Sequence, residues 1–264
     1  MTLNELLQKY GEKRVSTLTK YPSILTYHNF SDTGIGLAPS LVENKLFPAE
    51  EDCFVTEKID GANSRIIVFN HDYIIGSRDL FLYAKGDRYG DPALNIVNTI
   101  KNCADKMVEI LEQQDKFLYV IYGETYGGSI NSSKNYTIDK TYSYCMFDIA
   151  ALPLTTAETI LNYGIESLLS WREYKNTHWK TTDELKKLAD ECQTNIVPYL
   201  EVMKGKDMPI TLKDTYNWLK QYYDTRAGIN NIGKSEGVVA RTGNRSLIRK
   251  IRFNDYEKTA EIME

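Results

Sequence analysis

The chain has no C-x-x-C pair. Its four cysteines, Cys53, Cys103, Cys145 and Cys192, stand far apart, and its three histidines, His28, His71 and His178, do not pair with them. That spacing predicts neither a disulfide framework nor a structural zinc site, which suits a reducing compartment inside a cell, cytoplasmic or nuclear. No run approaches the roughly 20 apolar residues that a membrane span needs. The opening "MTLNELLQKYGEKRV" lacks the apolar stretch of a secretory signal. Repeats and low-complexity tracts are absent as well. Nor is there an excess of basic charge: 32 lysines and arginines face 36 acids, so any hold on nucleic acid must be local.

What is present is apolar material, 42% of 264 residues, enough for one large core or two modest ones. Residues 1–20 read as helical, and 21–52 as loops and short strands. From residue 53 the pattern turns strand-rich, in "CFVTEKI", "SRIIVFN", "DYIIGSR" and "LFLYAK". The segment 92–114 spaces Ile96, Ile100, Cys103, Met107, Ile110 and Leu111 as a helix does. Strands return in "KFLYVIYGETYG" and "SYCMFDIA". Residues 155–192 read as helices with threonine caps, "NIVPYLEVM" as a strand and "TLKDTYNWLKQYYDTR" as a helix. "EGVVAR" and "SLIRKIRF" form a final strand pair joined through "TGN". The class is α+β, in one globular unit: an N-terminal extension over 1–50, a main domain over 51–254 with a helical insertion near 155–225, and a short charged tail over 255–264.

"FVTEKIDGANSRIIVF", residues 54–69, sets a polar centre between two apolar runs. One reading is a hairpin with a solvated tip. The other is that Lys58 is a nucleophile. A free lysine, with a pKa near 10.4, is protonated at neutral pH and cannot attack, so it needs desolvation or a neighbouring cation to release its proton. Lys250 and Arg252 on "IRKIRF" would supply that cation if their strand lies alongside. Glu124 ends an apolar run in "YVIYGETYGG", beside glycines that let another group approach, and Glu236 opens the strand "EGVVAR". Two such carboxylates could hold a hydrated Mg²⁺ on a polyphosphate. Phe147 lies on the strand "YCMFDIA", and Arg78 in "GSRD" would clamp a phosphate if it faced the site.

In order, "EKIDGAN", "GSRD", "GETYGG", "MFDIA", "EGVVAR" and "KIRF" resemble nucleotidyltransferase motifs I, Ia, III, IIIa, IV and V, shared by ATP-dependent ligases and mRNA-capping guanylyltransferases. The resemblance spans roughly residues 50–253. Asn63, five places after the lysine where DNA ligases and capping enzymes usually carry arginine, resembles the RNA ligase 2-type branch.

This resemblance implies a ligase adenylation domain, with antiparallel sheets around a nucleotide cleft and helices packed outside. It implies ATP and Mg²⁺ (or Mn²⁺) as cofactors, and RNA with 5′-phosphate and 3′-hydroxyl ends as partner. Lys58 would become lysyl-adenylate, pass AMP to the 5′-phosphate and leave a sealed strand, in RNA repair. By the same resemblance Phe147 stacks on adenine, and Glu124 contacts the ribose or a metal water. Glu236 binds the metal, Lys250 and Arg252 touch the α-phosphate, and Arg78 serves the nucleotide or the RNA. Asn63 belongs to the nucleotide-binding set, and Glu57 helps to read the adenine edge. Arg252 departs from the lysine common at its place. Only about a dozen residues follow "KIRF", where relatives add a further domain, so the expectation is a catalytic domain standing alone, or RNA held by residues 1–50 and 155–225. The alternatives are a capping guanylyltransferase or DNA ligase, and a silent fold that binds RNA through tyrosines such as those of "YNWLKQYY".

Overall fold

The computed structural model of the chain describes residues 2–85, 87–88, 94–111, 116–175 and 178–263. It is a mixed α+β fold, and the chain divides into two compact units. The first comprises Met1–Ser23, Gly61–Ile130 and Tyr142–Ile196; the second comprises Ile24–Asp60, Asn131–Thr141 and Val197–Glu264.

The first unit is built on a seven-stranded sheet in the order Asn195–Ile196, Tyr142–Pro153, Phe117–Gly127, Ala62–Phe69, Asp72–Ser77, Phe81–Ala84, Asp87–Arg88. Every pairing is antiparallel except the first. Its central strands are covered on both faces, which is why "RIIVF" and "LYVIY" read as nearly unbroken apolar runs. Ile66, Val68, Tyr119 and Ile121 pack towards helices Ile96–Leu111 and Thr182–Cys192. Ile67, Phe69, Leu118, Val120 and Tyr122 pack towards the helices at Leu3–Tyr10, Glu12–Thr19, Leu154–Leu161 and Ile165–Ser170.

The helix expected over 92–114 spans Ile96–Leu111; residues 92–93 and 112–114 lie outside the described residues. The helical start is two helices, because Gly11, at φ 82°, turns the chain between them. The Thr181–Glu184 capping box forms as expected. The helix expected to start at the threonines near 155 instead begins at Leu154, after Pro153, where no side chain caps it.

In the second unit a five-stranded sheet runs Leu25–Thr26, Ile248–Arg252, Gly237–Thr242, Asp52–Lys58, Tyr199–Lys204, antiparallel save for the first pair. Cys53, Val55, Val238, Ala240 and Ile251 line one face and pack with Leu219, Phe253 and Tyr256. Phe253 and Tyr256 belong to the closing helix Phe253–Met263, which takes up most of the expected tail. Two expectations change. The strands flanking "KIDG" do not pair with each other: Asp52–Lys58 joins this sheet and Ala62–Phe69 the other, so no hairpin tip exists there. "NIVPYLEVM" likewise splits around Pro198, whose missing N–H cannot continue a ladder.

Candidate active site

Residues directly opposite one another in a ladder share a face of the sheet. In the five-stranded unit Lys58, Gly237 and Arg252 form one row, and Thr56, Val239 and Lys250 the next. Lys58, Lys250 and Arg252 therefore project from one face, so the strand of the two further cations does lie alongside. Gly237, at φ 150°, separates Lys58 from Arg252 without a side chain; a Cβ there would lie 2.1 Å from the Ile251 carbonyl oxygen. Glycine is required at that position.

The Lys58 Nζ donates to Glu236 Oε2 at 2.6 Å, with 26% and 18% of the two side chains exposed. Burial pushes the Glu236 carboxyl above its ordinary pKa; Lys58 opposes that shift and Asp60 adds to it. Burial, then the charges of Arg252 and Lys58, push the Lys250 amine below its ordinary range. Arg252 forks onto Asp255, with Nε to Oδ2 at 2.8 Å and Nη2 to Oδ1 at 2.9 Å. The result is a half-buried lysine held by one acid, with two further cations on its own face.

Glu57, the preceding residue on the strand, points to the opposite face. It is buried, and its carboxylate accepts from the Thr225 hydroxyl and, at 2.7 Å, from the Arg226 N–H. Burial pushes its pKa up, and these bonds counter the shift. To read a base edge, those oxygens would have to leave the loop.

Asn63, Glu124 and Phe147 lie on the seven-stranded sheet. Asn63 pairs directly with Glu124, on the face that carries Tyr122. The Asn63 Oδ1 is buried with no hydrogen-bond partner among the described residues. Phe147 sits at a bulge between Met146 and Asp148, which turns its ring onto the same face. The ring stands edge-on to Tyr21 at 4.9 Å and nearly parallel to Tyr122 at 6.5 Å. Arg78 is exposed on the bend after Asp72–Ser77.

The sequence reading missed Tyr136, Ser132 and Thr225, whose hydroxyls bond Asp60 and Glu57, because loop residues carry no periodicity to mark them. It also missed Val239, half-buried beside Lys250 on the lysine's face, because that place follows from the pairing of three strands.

A family model for RNA ligases matches residues 51–255. The chain belongs to the RNA ligase family. No curated protein matches its sequence. Among solved structures it is similar to an apo mutant of Naegleria gruberi RNA ligase, at 14% identity and a TM-score of 0.57, over 93% of this chain and 59% of that one. A mutant of the same ligase with ATP and Mn matches at 16% identity and a TM-score of 0.54, over 91% and 61%. That ligase with PPi matches at 15% and 0.52, over 91% and 64%. At these identities the likeness is one of fold, the nucleotidyltransferase fold of RNA ligases. The chain spans about three fifths of the length of the structures it matches. Among the described residues no helix is long and apolar enough to cross a membrane.

Proposed function

We propose that the chain acts as an ATP-dependent RNA ligase with Lys58 as the nucleophile. The observation that carries this reading is the Lys58–Glu236 ion pair with Lys250 and Arg252 on the same face, in a member of the RNA ligase family. In the first step an N–P bond forms from Lys58 Nζ to the α-phosphorus of ATP. The bond to the bridging oxygen breaks, and its electron pair leaves with pyrophosphate. The ammonium must first shed a proton, and Glu236 Oε2 at 2.6 Å stands ready to receive it. ATP and PPi, found with the Naegleria gruberi ligase, are the substrate and leaving group this step calls for.

Lys250 and Arg252 offset the charge that builds on the phosphates, with Arg252 held in place by Asp255. Val239, between Thr56 and Lys250, offers an apolar surface for a base. On the seven-stranded unit, Asn63 Oδ1 is an acceptor for a nucleotide donor, Phe147 a stacking ring, Glu124 a ribose or metal-water contact, and Arg78 a phosphate contact. From lysyl-adenylate, AMP passes to the 5′-phosphate of RNA, and a 3′-hydroxyl then displaces it. The role is RNA repair.

Among the described residues no three His, Cys, Asp or Glu side chains gather into a metal cluster. A Mg²⁺ or Mn²⁺ ion would thus take a carboxylate oxygen of Glu236 and complete its shell from water and phosphates, the usual manner for Mg²⁺. Such a cation would offset phosphate charge and favour a neutral amine beside it.

The test is incubation with α-labelled ATP or GTP and Mg²⁺, for the wild type and Lys58→Ala, followed by 5′-phosphorylated RNA or DNA. Covalent AMP on the wild type, none on a folded Lys58→Ala, and joined RNA are expected. Equal labelling of Lys58→Ala would overturn the nucleophile, and label from GTP alone would point to capping chemistry.

A further inference from the structure

We infer that Tyr136, with Ser132, is a positioning residue for the nucleophile: its side chain fastens the turn after Lys58, and its main chain fastens the loop that leads to Glu236. The inference rests on the reading of Lys58 given above. Tyr136 is fully buried in the five-stranded unit. Its phenol oxygen accepts the Asp60 N–H at 2.8 Å, two residues beyond Lys58. Ser132 adds a second tie to the same turn, its hydroxyl donating to the Asp60 carboxylate.

The backbone carbonyl of Tyr136 holds the loop that leads to the other partner, Glu236. It accepts from the N–H of Ile229 at 2.8 Å and from those of Asn230 and Asn231 at 3.3 Å. One residue earlier, the Asn135 carbonyl accepts from Gly233 at 2.9 Å. Glycine is needed at 233, since a Cβ there would come within 2.6 Å of Asn135 Cα. Three residues on stands Glu236, whose carboxylate receives the Lys58 ammonium. The far end of that loop is fixed through Thr225 and Arg226 to Glu57. Glu57 and Asp60, before and after Lys58, are thus tied to the same loop that presents its acid, Glu57 directly and Asp60 through Tyr136.

Positioning and ordinary support differ in what they move. Deleting the hydroxyl leaves the Asp60 N–H without this acceptor, a loss of stability that removing another buried, bonded hydroxyl also brings. A displacement of about 1 Å at a reacting group can cost on the order of 100-fold in rate. Burial, and then the charges of Glu57, Asp60 and Glu236, hold the Tyr136 phenol well above its ordinary pKa, so it stays neutral and acts as a fixed acceptor.

The experiment measures single-turnover transfer of AMP from α-labelled ATP to the full chain, for wild type, Tyr136→Phe, Ser132→Ala and Tyr256→Phe. Tyr256→Phe removes a buried hydroxyl of the same unit that bonds His28 instead of the lysine turn. Expected for Tyr136→Phe is a labelling rate at saturating ATP about 10- to 100-fold below wild type, with half-saturation within about twofold and an unaltered pH profile. Ser132→Ala should fall in the same direction, and it decides the matter if Tyr136→Phe does not fold. Tyr256→Phe should keep its rate. Wild-type rates in Tyr136→Phe, or a loss no larger than that of Tyr256→Phe at equal stability, would overturn the inference. A wild type that takes no label at all would instead remove the nucleophile on which it stands.

Discussion

Gly61→Ala tests how closely the chain passes the strand that carries Glu124. Gly61 follows Asp60 and leads into Ala62–Phe69, whose first residue pairs with Thr125. A Cβ at Gly61 would lie 2.4 Å from the Thr125 carbonyl oxygen, 2.8 Å from Glu124 Cγ and 3.0 Å from Tyr126 Cβ. Its φ is not in the left-handed region, so the strain enters through the methyl group alone. Ordinary contact begins near 3.4 Å, and the obstacle is sheet backbone, so the strands must part by about 1 Å. Overpacking of this kind costs about 1–3 kcal/mol. For a chain of this size that lowers the melting temperature by roughly 2–12 °C. The same shift at Glu124 and at the turn after Lys58 should slow covalent AMP transfer by about 100-fold. Gly164→Ala is the control, since nothing lies within 4 Å of the methyl it would add. The assay pairs thermal melting with AMP labelling. Melting and labelling of Gly61→Ala at the level of Gly164→Ala would refute the close approach and the reasoning built on it.

Glu236→Gln keeps the shape of the acid but leaves the Lys58 ammonium unpaired in a half-buried place. The loss should fall between those of exposed and buried pairs, about 1–3 kcal/mol by denaturant unfolding, together with loss of AMP labelling; an unchanged midpoint and rate would contradict it. In Lys58→Met, the Lys250 amine should titrate at higher pH than in the wild type, because one of the cations that lower its pKa is gone. NMR of the lysine side chains reads this directly, and an unmoved titration would mean that the two charges do not sense each other. His28 is buried between the Tyr256 hydroxyl at 2.6 Å and the Ile210 carbonyl at 2.9 Å. A carbonyl only accepts, so Nε2 carries the proton and Nδ1 accepts from Tyr256. Burial lowers the His28 pKa, so the folded state keeps it neutral while the unfolded chain binds a proton below about pH 6.5. Stability should therefore fall as pH drops through 6.5 towards the folded-state value, a slope that His28→Gln should flatten in urea titrations.

The strands were legible because alternation and apolar runs depend on neighbours along the chain. "RIIVF" and "LYVIY" sit where their pattern demanded, whereas the shared face of Lys58, Lys250 and Arg252 follows from the pairing of three strands. What the sequence concealed was partnership. Nothing in "KIDGAN" says that the chain leaves one sheet at Lys58 and enters another at Ala62, because both strands carry similar residues. Pro198 did mark a break, but not that its two sides serve different sheets. The ties of Tyr136 and Ser132 to Asp60 join positions more than 70 residues apart, through single hydroxyls in a loop. Hydroxyl contacts of that kind depend on the closed fold and leave no spacing to read.

Period-two alternation also accounts for why two charged residues stand side by side at 57 and 58. On a strand they must face opposite ways, so Glu57 is sent among buried groups and Lys58 to the face of Lys250 and Arg252. Burying the carboxylate is costly, and its raised pKa reflects that cost. An apolar residue at 57 would avoid the cost but leave the Arg226 N–H and the Thr225 hydroxyl without this acceptor. The loop they begin ends at Glu236, the partner of Lys58. The buried acid therefore trades stability for an anchor on the loop that runs to Glu236, the ion-pair partner of Lys58.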